Sequence, residues 1–253
     1  MRKTIKCLAF LLLTFNSAIA SIVVDFETDD YGTSLVNGQQ IATPGEFGNL
    51  VDVSSNVPLA IFDTDPSGPN AANAVALQTD DVLVNLGNAL IFQAVYRSDT
   101  QTVAGIYDVP EDSAAGGIVH FDFKSPTRVL AIDLVDVDSQ SATAILIDTE
   151  GRTRSYDVPA GFTANLRDMP NGYSTLDLTT LADQPGETGA LATASEDAGF
   201  DAANATRFSV ELRGSGAIDN LVFVPEPSYG IAIVGLVLTG FLRRGRAAKS
   251  MKL

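Results

Sequence analysis

The sequence predicts an all-β fold, an antiparallel β-sandwich or jelly roll, on three observations. Short runs that alternate apolar and polar residues recur along the chain, separated by clusters of Gly, Pro, Asn and Asp. No interval holds an apolar stripe at helical spacing over about twelve residues, so the crossover helices of an α/β fold are missing. Hydrophobic residues make up 45% of the 253-residue chain and fall in strand-length blocks, which is too much apolar surface for a disordered protein.

In chain order the expected strands are residues 22–26, 50–53, 59–63, 82–85, 89–96, 118–123, 128–137, 142–148, 153–157, 206–213 and 217–224. Alternation assigns their faces. Val119, Phe121 and Phe123 share one face, leaving His120, Asp122 and Lys124 on the solvent side; Phe208, Val210 and Leu212 face in, opposite Ser209, Glu211 and Arg213. Asp148-Thr149-Glu150-Gly151 reads as a hairpin turn in which Gly151 takes a positive φ. Residues 158–205 are richer in turn residues, with short strands expected near 174–178 and 191–194. No linker divides residues 21–223, and a single domain of that length buries roughly 70% of its extended surface.

The two ends differ from this body. Residues 1–20 combine a basic start, an apolar run and Ala18-Ile19-Ala20, which predicts a secretory signal peptide cut before Ser21. Cys7, the one cysteine, leaves with it, so the mature protein holds together without disulfides. Behind the body, the apolar run 229–242 is followed by Arg243-Arg244-Gly245-Arg246. As a helix it spans about 21 Å, short of the roughly 30 Å hydrocarbon core, but flanking arginines can snorkel and the bilayer can thin. The basic flank stays cytoplasmic and places the body across the membrane, the side to which the signal peptide sends it.

Between the ends, eight basic residues stand against all 31 acids, about −23. Such a body repels phosphate backbones and is not expected to bind nucleic acid. One histidine, His120, excludes a His-based zinc cluster.

Pro225-Glu226-Pro227, the apolar segment 229–242 and the arginine cluster 243–246, in that order at the terminus, resemble a PEP-CTERM sorting signal over residues 224–250. The resemblance implies an exosortase, a membrane peptidase-transferase of exopolysaccharide-exporting Gram-negative bacteria. After transient insertion in the inner membrane the tail is removed, and the body goes to the cell surface or extracellular matrix. The body itself is similar to the exported β-sandwich domains of PEP-CTERM proteins in Val24-Asp25-Phe26-Glu27, Ile61-Phe62-Asp63-Thr64, residues 116–123, residues 132–138 and Ser215-Gly216-Ala217-Ile218-Asp219-Asn220-Leu221. The first and last of these resemble the terminal strands of calcium-stabilised carbohydrate-binding modules. Where many PEP-CTERM domains continue after Phe62-Asp63-Thr64 with an Asp-rich stretch, this chain turns to the small residues Ala71-Ala72-Asn73-Ala74.

Acids cluster at strand ends, and hard oxygen donors at that density suit Ca²⁺ better than a transition metal. One structural calcium could join Glu27 near the first strand to Asp219 near the last, and Asp63 with Asp65 resembles the opening of a second oxygen-ligand loop; no cofactor is otherwise required. The same acids also serve simply to keep an exported surface soluble. For glycans, the chain has no Trp; Tyr96 and Tyr107 flank a polar connection and form a small platform or else cap the core. Catalysis is not expected. His120 and Asp122 merely share a face of one strand, and Gly214-Ser215-Gly216 lacks the spacing of a nucleophile elbow. The leading expectation is a structural or adhesive matrix protein that binds extracellular polysaccharide. A polysaccharide hydrolase using paired carboxylates is the alternative.

Overall fold

The computed structural model describes residues 20–41, 45–70, 85–94, 100–137, 140–163 and 172–226. Every regular element among them is a strand. These are β1 (Ile22–Val24), β2 (Val51–Ser55), β3 (Leu59–Asp63), β4 (Asn88–Phe92), β5 (Gly117–Val135), β6 (Ala142–Asp148), β7 (Thr153–Val158), β8 (Tyr173–Asp177), β9 (Gln184–Pro185), β10 (Leu191–Glu196), β11 (Ala205–Leu212) and β12 (Ala217–Pro225). They form one twelve-stranded antiparallel network in the order β3-β4-β12-β5-β11-β6-β7-β10-β9, with β1 on β12 and both β2 and β8 on β5. No helix among the described residues is long and apolar enough to cross a membrane, and the segment 229–242 lies outside them.

β5 is the axis of the molecule. Two separate strands were expected over its length, but the chain runs extended for 19 residues and changes partners partway. Residues 117–122 pair with β11 and residues 119–123 with β2, whereas residues 127–135 pair with β12 and residues 131–135 with β8. The break expected over residues 124–127 is a shift of register: Ala205 pairs with Thr127 while Arg207 pairs with Asp122, which leaves Pro126 out of the β11 ladder. A proline without an N–H fits such an irregularity. Thr127 faces Ala205 on one edge and Pro225 on the other, so β11 and β12 flank opposite sides of β5.

Other differences have local causes. The first strand stops at Val24, because Phe26 adopts a left-handed φ of 59°. Asp136, at φ 57°, likewise ends β5. β4 stops at Phe92, and Tyr96 lies outside the described residues, as do residues 82–84 of another expected strand. β12 runs one residue past the expected end, into the predicted sorting signal. β9 carries no alternation that would have revealed it.

One interior is shared by Ile61 and Leu90 from one end of the strand order and by Tyr156 and Ala192 from the other, so the network curls around a common core. Phe121 and Phe208, both fully buried, stack at 6.0 Å across the β5/β11 pair. Burying each ring contributes about 1.5–3 kcal/mol. At the β3-β4-β12-β5 end both faces are covered. Ile61, Leu90, Leu134 and Ile218 join the main core, while their neighbours Ala60, Ile91, Val135 and Ala217 join a smaller one under Tyr107. Burial on both faces explains the unbroken apolar runs of β3 and β4.

The β6–β7 hairpin forms as expected, with Gly151 at φ 78°. The Asp148 carboxylate accepts from the backbones of Glu150, Arg152 and Asp201 and from Arg152 Nε. These donors overcome burial and hold Asp148 below the ordinary carboxylate range.

Candidate functional site

The terminal strands bring together a group of acids that are far apart in sequence. Asp219 and Asp133 are direct cross-strand partners on β12 and β5. Asn220, at φ 48°, sits where the β12 register shifts, and this bulge turns its side chain back over both acids. Asn220 Nδ2 donates to Asp133 Oδ2 at 2.9 Å and to Asp219 Oδ2 at 3.1 Å, and its backbone N–H donates to Asp219 Oδ1 at 2.7 Å. Thr175 of β8 donates to Asp133 Oδ1 at 2.5 Å.

The bend after β1 delivers Asp25 and Glu27. Phe26 is fully buried and packs edge-on against Phe47 with ring centroids 5.7 Å apart, which anchors the turn between the two acids. Asn88 Nδ2 donates to the carbonyls of Phe26 and Leu35, each at 3.3 Å, and the Asn88 backbone N–H donates to Glu27 Oε1 at 2.7 Å. Gly87, at φ 84°, leaves the space that this carboxylate occupies; a Cβ there would overlap Glu27 Oε1.

Asp219 is only 1% exposed. Burial raises its pKa from 3.8 to about 7, the charges of Asp133, Asp25 and Glu27 push in the same direction, and the Asn220 backbone N–H opposes them. A buried acid with like charges around it holds its proton to higher pH. The donors here are all oxygens, the chemistry of a hard cation. Among the described residues, however, no three of His, Cys, Asp and Glu gather tightly enough to hold an ion, so no coordination geometry is assigned.

Glu27 and Asp219, the pair expected to share a structural calcium, lie in one electrostatic neighbourhood. Asp133, Asn220 and Asn88 were not expected in it. Asp133 was visible only as one acid among many, and Asn220 acquires its role from a bulge that alternation does not encode.

Asp63 and Asp65 serve their own loop. Asp65 N–H donates to Asp63 Oδ1, and the Ser67 N–H and hydroxyl both donate to Asp65 Oδ1, each at 2.8 Å. These Ser67 bonds, the backbone one first, lower the Asp65 pKa. The pattern resembling a ligand loop is here a series of Asx turns. Thr64 between them bonds Gly87 O and Leu86 N, tying the loop to the segment that carries Glu27's partner.

Tyr107 is 4% exposed and its hydroxyl accepts from Gln40 Nε2 at 2.6 Å, so it caps the smaller core. Phe62, Leu86 and Tyr173, each partly buried, pack against the same core. His120 Nδ1 lies 2.8 Å from Ser209 Oγ across the β5/β11 pair. Asp122, two residues along the same strand, accepts from Arg207 through bonds of 2.6 and 3.0 Å. Ala20 and Ser21 are exposed at the start of β1, while Ala18, Tyr96, Pro227, Arg243 and Arg244 lie outside the described residues.

No protein-family model matches the chain, and no curated protein does.

Proposed function

We propose that this chain is an exported, non-enzymatic β-sandwich of the cell surface or extracellular matrix, released by an exosortase and bound weakly to extracellular polysaccharide. The observation that carries the reading is the junction of its ends. β1 begins two residues after Ala20, β12 runs to Pro225, and the two strands pair directly, Ile22 with Phe223. A closed body thus fills the interval between the two predicted addresses. Supporting the matrix role are a core built from packing alone, an acidic exterior suited to a soluble exported protein, and solvent-facing strands rich in Ser and Thr.

A calcium ion at the Glu27–Asp219 corner belongs to the same proposal as a structural feature: it would offset the burial and the like charges that raise the Asp219 pKa. Selective binding to the folded state raises stability. Millimolar calcium is therefore expected to raise Tm, and an unchanged Tm removes the ion from the proposal.

The test is expression of the full chain with and without an exosortase in an exopolysaccharide-producing host. The expected result is loss of the tail only when the enzyme is present, and retention of the released body by the host polysaccharide. A tail that survives the enzyme overturns the sorting reading; a body that washes freely from the polysaccharide overturns the adhesive one.

A further inference from the structure

The proposed sorting motif begins inside the sheet. Pro225 pairs with Thr127, and the Glu226 backbone N–H donates to Pro126 O at 2.9 Å. Both Pro225 and Glu226 are half-buried. Thr127 is itself 1% exposed and donates its hydroxyl to Ser125 O at 2.8 Å, which stiffens the stretch of β5 that receives them. A proline costs no donor at the end of a strand, so Pro225 occupies its place in β12 without leaving a ladder bond unmade. One step earlier the chain is held on both edges, because Leu221–Phe223 lie between β5 and β1.

Enzymes that take an extended peptide bind its backbone edges much as an added strand is bound. Chain already paired to β5 cannot present that edge to a second protein. We infer that the Pro126–Thr127 stretch of β5 is an intramolecular dock for the first two residues of the sorting motif, and that exosortase gains the motif only after the end of β12 has peeled away. The inference rests on the sorting reading. It makes removal of the tail depend on the local stability of the body: a folded body releases slowly and a loosened one quickly. It also sets the order of release at the other end. β1 pairs with residues 221–223 just upstream, so a docked β1 resists the peeling that exposes Pro225.

The test uses the full chain in an exosortase-bearing host. One variant carries a Gly-Ser spacer between Val224 and Pro225, which frees the motif from β5. Another carries Arg128→Cys with Val224→Cys, a cross-strand pair in a body that has no other cysteine, which clamps the end of β12 when oxidised. One backbone hydrogen bond is worth up to about tenfold in an opening equilibrium. The spacer is expected to speed tail removal by about that factor, and the oxidised pair to slow it reversibly. Equal rates in all three chains overturn the dock while leaving the sorting reading intact. If no chain loses its tail, the sorting reading falls, and hydrogen exchange at the Glu226 amide of the purified full chain decides the dock alone. Protection there that the spacer abolishes sustains it, and exchange at the rate of a free peptide refutes it.

Discussion

Replacing Asp219 with Asn tests the electrostatics of the terminal corner directly. Asp219 is 1% exposed, and its pKa stands at about 7 in the folded chain against 3.8 for the unconstrained group. Between those values the folded state binds a proton that the unfolded state has lost. Stability therefore falls as pH rises from about 4 to about 7, and levels off above. Three pH units correspond to roughly 4 kcal/mol at 1.36 kcal/mol per unit, an upper bound on what ionising this carboxyl costs the fold. Asp219→Asn cannot ionise; its amide oxygen can still accept the Asn220 N–H, but its NH2 cannot accept from Asn220 Nδ2, a loss that is the same at every pH. In chelator, the stability of the variant relative to the wild type should rise between pH 4 and pH 8, by an amount approaching that bound. In a body of this size that is a Tm difference of up to roughly 10 °C. Chemical unfolding followed by circular dichroism across this range is the assay. Parallel pH profiles for the two proteins would refute the reading of Asp219 as an acid whose pKa is raised by burial and by the like charges around it.

Gly87→Ala should cost about 1–3 kcal/mol, because a side chain at φ 84° is strained and would also displace the Glu27 carboxylate. Gly32→Ala, at φ 76° with nothing within 4 Å, should cost less, and equal losses on denaturant titration would count against Glu27 lying there. Phe208→Ala removes a fully buried ring stacked on Phe121 and should lower stability by about 3–5 kcal/mol, read as a shift in the urea midpoint. Arg207→Ala breaks the exposed pair with Asp122 and should cost no more than about 1 kcal/mol, a loss that shrinks further in high salt.

Much of the fold was legible because alternation is a local signal that burial then enforces. β3 and β6 fall on the expected residues, and Val119, Phe121, Phe208, Val210 and Leu212 all point inward as period two requires. Arg154 is an exception that pattern alone could not anticipate. It occupies an inward position on β7 at 8% exposure, paired with Glu196 at 2.7 Å, donating to Leu178 O at 3.2 Å and lying 4.8 Å over the Phe200 ring. The 19-residue length of β5 was hidden for a related reason. Pro126 ends a strand when only its missing N–H is considered, but its carbonyl still accepts from Glu226, some hundred residues away in sequence.

The corner around Asp219 shows why composition could locate the acids without predicting their state. Alternation places Ile218 inward and Asp219 on the other face, where a carboxylate ordinarily meets water. What buries it is tertiary: the bend at Phe26 brings Asp25 and Glu27 over the sheet, while the bulge at Asn220 closes an amide across Asp133 and Asp219. Both devices depend on a non-glycine residue in the left-handed region, a conformation that costs the chain energy and that no apolar pattern signals. The strain therefore falls at the two points where the first and last strands are joined to the rest of the sheet. Whatever stabilises that corner, a proton or a cation, also stabilises the β1–β12 pair, and with it the strand end from which, under the proposed sorting, Pro225 and Glu226 would peel.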